Sequence, residues 1–169
     1  MSEFQRGLVI TPGTERQLGA YGLFRPSPPQ QQVLALPTGP LTVKSADPDV
    51  LWAGFTELCG GPRTDADYMA LAGQFPSWVI DGVPSPGVPA AAGSAAAWHR
   101  FLDLVGVLHD RDRVLFLVGA GPLDWEDAAR KAALPAEEAS ALARIAERLS
   151  VLSRIESDEE LEDEQTAGC

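Results

Sequence analysis

The run "RVLFLVGAG" (113–121) sets five consecutive apolar residues, Val114 to Val118, between an arginine and glycines. A strand with one wet face alternates apolar and polar residues, so an unbroken run has to be covered on both faces, as in a parallel sheet. Two further segments share this character. "GLVITP" (7–12) is short and rich in β-branched residues, and "SWVIDGV" (77–83) closes on Gly and Pro. From Ala95 to about Asp110 the apolar residues Trp98, Phe101, Leu102, Val105 and Leu108 recur at the three-and-four spacing of an amphipathic helix. "PLDWEDAARKAAL" (122–134) reads as a helix or helical turn. "PAEEASALARIAERLSVLSRI" (135–155) reads as one helix, with Pro135 near its start, acids in the first turn and arginines later.

The remaining segments are connections. "RPSPPQQQ" (25–32) holds three prolines and is expected to be a loop; "PSPGVPAAAGSAAA" (84–97) reads as a flexible linker. "LTVKSADPDVLWAGF" (41–55) places two strand-like runs around Asp47-Pro48-Asp49, consistent with a hairpin. Helices between buried strands demand right-handed crossovers. The expectation is therefore an α/β fold: a small sandwich with a mixed, partly parallel sheet and covering helices, one domain over residues 1–155.

Charge narrows the partners. The chain of 169 residues carries a net charge of −11, which opposes nucleic acid and anionic membrane surfaces. Six of the acids fall in "SDEELEDEQ", so residues 156–169 read as an acidic disordered tail. No apolar run reaches the roughly 20 residues that span a bilayer, and "MSEFQRGLVITPG" lacks a secretory apolar core. Stable membrane insertion is not expected, and the location expected is cytoplasmic. Two cysteines, Cys59 and Cys169, make neither a disulfide framework nor a zinc site.

The densest segment is "FTELCGGPRTDADYMALAGQF" (55–75). A glycine-rich turn ahead of a helix can cradle a phosphate with its amides. Here, however, Asp65 and Asp67 occupy the first helical turn and would repel an anion, with Arg63 the only nearby cation. The spacing of Thr64 and Asp67 fits a capping box, in which each side chain satisfies the other's backbone amide. Gly60, Gly61 and Pro62 allow the turn, with Leu58 and Cys59 as core residues before it. The segment starts a helix.

Other chemistry is suggested and then denied. "TGPLTVKS" (38–45) ends like a P-loop, but Thr38 and Val43 stand where the glycines must be. "WVIDG" (78–82) has the apolar strand and aspartate of a Mg²⁺-binding strand, yet Gly82 stands in place of the usual glutamate; Asp81 reads as a strand-end turn. His99 and Asp103 lie one helical turn apart and His109 precedes Asp110, with no nucleophile elbow beside either pair. These are expected to be surface or boundary groups. No catalytic residue, no metal site and no cofactor-binding residue is assigned. Arg144 and Arg148 also lie one turn apart on a shared face, either paired with Glu147 or Glu137 or facing an anion or partner. Trp52, Trp78, Trp98 and Trp125 are expected in the core.

The order of "FTELCGGPRTDADYMALAGQF", "WVIDGVP", "RFLDLVGVLHDRDRVLFLVGA" and "RIAERLSVLSR" resembles the C-terminal part of the ZapE-like family of AAA+ P-loop ATPases. Phe55, Leu58, Cys59, Pro62, Asp67, Tyr68, Val83, Pro84, Arg100, Phe101, Asp110, Arg144, Arg148 and Leu149 match the family pattern. "LVITPGTER" is similar to a late strand of the ATPase module, with Glu15 and Arg16 in place and the tyrosine missing. Gly106, His109 and Gly119 depart from the pattern. The resemblance implies an ATPase family with a cell-division-associated branch and a mitochondrial branch linked to protein quality control. It also implies that the Walker A, Walker B, sensor 1 and arginine-finger motifs lie upstream of these residues. Neither Lys44-Ser45 nor Asp81 aligns with a family nucleotide motif. The chain by itself is then expected to need no cofactor, with ATP and Mg²⁺ entering only through a P-loop partner. Three readings follow: a binding or regulatory module, one half of a split ATPase, or a fragment of a complete one; a stand-alone interaction domain unrelated to ATP is a further alternative. The partner implied is a protein, either a P-loop subunit or a division-related one. Arg144, Arg148 and Arg100 are the candidate contacts to it or to phosphate, and Cys59, Pro62, Thr64, Asp67 and Tyr68 form the structural motif.

Overall fold

The computed structural model describes residues 7–11, 13–60, 63–84, 86, 94–119, 123–131, 136–150 and 152–155. In chain order these form β1 (Gly7–Ile10), α1 (Glu15–Ala20), a 3₁₀ turn (Pro28–Gln30), β2 (Gln32–Leu36), β3 (Gly39–Val43), β4 (Ser45–Ala46) and β5 (Val50–Gly54). There follow α2 (Phe55–Cys59), α3 (Asp65–Gln74), β6 (Ser77–Asp81), α4 (Ser94–Asp110), β7 (Val114–Val118), α5 (Trp125–Lys131), α6 (Ala136–Leu149) and β8 (Ser153–Ile155). Six strands build the main sheet in the order β4-β5-β6-β7-β1-β8, and β2 and β3 form a separate antiparallel pair. All pairings in the main sheet are parallel except that of β4 with β5.

The side-chain alternation divides this sheet into two faces. Val9, Leu51, Ala53, Trp78, Ile80, Leu115 and Leu117 join one core with side chains of α2, α3, α4, α5 and α6. Ile10, Trp52, Val79 and Val118 point the other way, onto Leu18 of α1 and Leu23. Chain direction explains the asymmetry. Every step from β5 through β6 and β7 to β8 advances across the sheet in one sense, and right-handed crossovers then put all their helices on one face. Only the return from β1 to β4 and β5 runs in the opposite sense, and its helix α1 falls on the opposite face.

The expected α/β sandwich with a mixed, partly parallel sheet is observed, the main sheet being parallel at all but one pairing, and all four tryptophans are buried. Several boundaries differ. Residues 135–155 are not one helix: α6 ends at Leu149, and Ser153–Ile155 turns back to pair with β1. The amide and hydroxyl of Ser150 both bond the Glu147 carbonyl, and Leu152 N–H bonds the Leu149 carbonyl, so the helix closes on itself before the strand begins. In the hairpin region, Leu41–Val43 pairs with β2 rather than with Val50–Gly54, whose antiparallel partner is the two-residue β4. The short helices α1 and α2, and the 3₁₀ turn inside the proline-rich loop, are too brief for periodicity to announce. Ser94–Ala97 begins α4 rather than ending a linker. The rest of that linker's centre, and the acidic tail 156–169 with Cys169, lie outside the described residues.

β8 is the edge that covers β1. A chain ending at Leu152 should lose about 1–3 kcal/mol relative to one ending at Ile155, because the backbone bonds of Leu8 to Ile10 on that side are lost. Urea midpoints of the two truncations measure this; equal midpoints would show that the β1–β8 pairing adds nothing.

Candidate functional site

The capping region of α3 is a clamp. Asp67 is fully buried, and its carboxylate accepts the Thr64 N–H at 2.9 Å, the reciprocal half of the expected capping box. The same carboxylate reaches the tip of the β2–β3 hairpin, accepting the Thr38 N–H at 3.1 Å and the Thr38 hydroxyl at 2.6 Å. Arg63 completes the clamp, donating to the carbonyls of Gly39 at 3.0 Å and Pro40 at 2.8 Å. Burial by itself would raise the Asp67 carboxyl, but the donors from Thr38 and Thr64 and the Arg63 charge hold it below the ordinary carboxylate value. Its charge is thus engaged by the hairpin tip and by the N-cap amide of its own helix. Pro62 lies outside the described residues.

Behind the clamp, Cys59 and Tyr68 are core groups. The Tyr68 hydroxyl donates to the Leu58 carbonyl at 2.7 Å, and Arg100 donates to the Cys59 carbonyl at 3.0 Å. Burial pushes the Cys59 thiol up to about 12, against the weaker opposing pull of Tyr68 and Arg100, so it is no nucleophile at neutral pH. Burial likewise raises the Tyr68 phenol. Arg100 therefore sits on the C-terminal end of α2, and it is not brought together with Arg144 and Arg148.

In open α/β sheets ligands favour the crevice at the carboxyl ends of neighbouring strands whose connections leave to opposite faces. Here that pair is β1 and β7. The crevice is occupied by the chain itself. Gly13, at φ 83°, turns the chain into α1, and the N–H groups of Gly13 and Thr14 both donate to Gln17 Oε1 at 2.9 Å. Gln17 is fully buried and donates in turn to the Thr11 carbonyl at 2.7 Å. A Cβ on Gly119 would lie 2.9 Å from both Leu123 and the Val83 carbonyl, so among the described residues the chain packs closely at the end of β7. Thr14 and Gln17 form a second capping box, with the same three-residue spacing as Thr64 and Asp67.

Two groups separately dismissed on sequence meet in space. Lys44 Nζ lies 2.5 Å from Asp81 Oδ2, which also accepts the Trp52 indole N–H at 2.8 Å. The buried Asp81 carboxylate is neutralised within the fold, and this pair ties the β3–β4 corner to the end of β6. Among the described residues no group of three or more His, Cys, Asp or Glu side chains is placed to hold a metal ion.

One open feature among the described residues is a groove of about 230 Å³ where α6 crosses α4 near the start of α3. Arg144 and Arg148 line it, together with Asp65, Asp103 and Asp110 and the floor formed by Leu102, Gly106 and Val107. The Arg148 guanidinium lies over Gly106 of α4, where a Cβ would stand 3.5 Å from Nη1, an ordinary van der Waals contact. Arg148 stands 4.0 Å from Asp110, which also faces His109 Nδ1 at 3.7 Å. Partial burial and the neighbouring Asp65 raise the Asp103 carboxyl, and His99 pulls it back only in part. The two arginines are brought together as their spacing implied. The three aspartates facing them come from other elements, which only packing could assemble. Such a lining is near charge balance, suited to a mixed-charge protein surface more than to a bare phosphate.

Two outcomes follow from these networks. The unfolded Asp67 carboxyl binds a proton more tightly than the folded one, so its contribution is complete above about pH 5 and is lost as pH falls through 4 towards the lowered folded value. Asp67→Asn should therefore lower stability at neutral pH and flatten the acid arm of a urea-midpoint series between pH 3 and 7; an unchanged slope would remove Asp67 from the acid response. Gln17→Ala leaves the Gly13 and Thr14 amides and the Thr11 carbonyl without their partner and should cost about 2–5 kcal/mol. A loss under ~0.5 kcal/mol by denaturant titration would show that the turn is held otherwise.

Comparison with known proteins accounts for the pattern. Residues 15–155 match the family model of the AFG1-like ATPases, most of the chain. A curated relative, the uncharacterized protein C115.02c of Schizosaccharomyces pombe, is 29% identical over 83 residues, 49% of this chain and 17% of that protein. The chain thus spans well under two thirds of the length of the relative it matches. No solved structure matches. The chain belongs to the AFG1-like ATPase family, a family of AAA+ P-loop proteins.

Proposed function

We propose that this chain is a non-hydrolysing, protein-binding part of an AFG1-like ATPase, docking through the α4–α6 groove onto a subunit or segment that carries the P-loop. The family implies ATP and Mg²⁺, and the described residues do not fit them. The amides of Gly13 and Thr14 are taken by Gln17, Asp81 is taken by Lys44 and Trp52, and the first turn of α3 is filled by Asp67. A phosphate cradle needs free amides and an uncompensated cation, and Mg²⁺ needs an accessible carboxylate. Nucleotide chemistry is therefore assigned to the partner, and no step is assigned to side chains of this chain.

The observation that carries the reading is the meeting of Arg144 and Arg148 with Asp65, Asp103 and Asp110 in one exposed groove. Arginine is suited to such a surface because its fork bonds carboxylates in a fixed plane. A division-related partner, which the ZapE-like resemblance implies, is the second class to test. The fold carries no helix, among the described residues, long and apolar enough to cross a membrane.

The isolated chain should show no Mg²⁺-dependent ATP turnover, and turnover abolished by Asp81→Ala would overturn the assignment. A double Arg144→Ala, Arg148→Ala variant should melt within ~0.5 kcal/mol of the parent, since exposed charges contribute little to folding. Its affinity for a purified family P-loop module, read by titration calorimetry, should fall by about tenfold or more. Equal affinity of parent and variant would reduce the arginines to surface charge.

A further inference from the structure

The β2–β3 hairpin presents an open edge, and we propose that this edge pairs with its counterpart on a second copy of the chain. This surface is separate from the α4–α6 groove and does not depend on the reading of that groove. β2 pairs with β3 in the register Gln32↔Val43, Val33↔Thr42, Leu34↔Leu41, Ala35↔Pro40 and Leu36↔Gly39. The two-residue turn Pro37-Thr38 makes Leu36 and Gly39 the hydrogen-bonded closing pair, so the bonded positions on β2 alternate as Leu36, Leu34 and Gln32. Pro40, which has no N–H, falls at a non-bonded position, where a proline is tolerated. The N–H and C=O groups of Val33 and Ala35 therefore point away from β3, and among the described residues no strand pairs with that side.

The edge lacks the usual protection. Natural edge strands are blunted by charge, most often lysine, or by a bulge. Here no charged side chain occurs from Pro26 to Val43, and Val33 is 63% exposed. In a chain of net charge −11 this uncharged stretch adds no local like-charge repulsion between two copies.

The strand is also complementary to itself. An antiparallel twofold centred on Leu34 sets Val33 opposite Ala35 of the second copy and Ala35 opposite Val33. Each such pair exchanges two backbone bonds, so all four outward donors and acceptors at these positions are satisfied. Leu34 then meets its own symmetry mate on the face that continues the core. The hairpin is already held at its tip by Asp67 and Arg63, so little ordering is needed on pairing. A five-residue strand buries little area, so the dimer is a weak one.

The test is sedimentation of the full chain under reducing conditions from ~10 µM to ~1 mM, with amide hydrogen exchange read by NMR at both ends of the range. The expected result is a concentration-dependent monomer–dimer equilibrium in which exchange at Val33 and Ala35 slows as dimer forms. Val33→Lys and Ala35→Pro should each weaken the dimer at least tenfold, the first by setting two like charges diagonally across the seam and the second by removing an outward N–H. Val33→Lys, at an exposed position, should melt with the parent, so the proposal does not hang on the proline variant folding. A parent that stays monomeric throughout would overturn it, as would a dimer that leaves the Val33 and Ala35 amides unprotected or survives Val33→Lys.

Discussion

The position of β1 is the constraint on which the rest of this fold hangs. It is the first strand in the chain and it is hydrogen-bonded on both sides by strands from the distant C-terminal half, β7 through Ile10↔Val118 and β8 through Ile10↔Ile155. Both pairings close the chain across most of its length, over the helices that lie between β5 and β8. Contacts so far apart in sequence carry the largest loop-closure cost and form late. The same insertion makes the two-faced arrangement obligatory, because only the connection leaving β1 travels against the direction of all the others.

Buried polar groups then secure the joints that hydrophobic packing leaves free to slide. Asp67 joins the start of α3 to the tip of the β2–β3 hairpin, and Asp81 joins the end of β6 to Lys44 and to Trp52 on β5. Gln17 closes the turn between β1 and α1. Each uses hydrogen bonds from several directions, as a buried charge or amide must if it is not to destabilise the core. Among the described residues, the turn after β1, the start of α3 and the end of β6 are each filled by the protein's own side chains.

Much of this was legible beforehand. The buried strands at 7–12, 77–83 and 113–121, the amphipathic helix ending at Asp110 and the Thr64–Asp67 box all declare themselves by local period or spacing. So did the shared face of Arg144 and Arg148. What was not legible had no period to read. α1, α2 and β8 have six, five and three residues, shorter than a repeat needs to be recognised. Leu41–Val43 looks the same whether it pairs forward with β5 or backward with β2; the tight Pro37-Thr38 turn and the bonds from Asp67 and Arg63 decide for β2.

The sequence alone determined which segments would be buried, where the longer helices start, and that Leu58, Cys59 and the tryptophans belong inside, because those properties follow from side-chain polarity repeated along a short stretch of backbone. Tertiary structure alone decided who meets whom. Lys44 and Asp81 form a pair, Asp67 serves the hairpin as well as its own helix, Arg100 bonds the end of α2, and three aspartates face Arg144 and Arg148. Partners across a fold are set by strand order and crossover direction, and these depend on long-range packing that no local window contains.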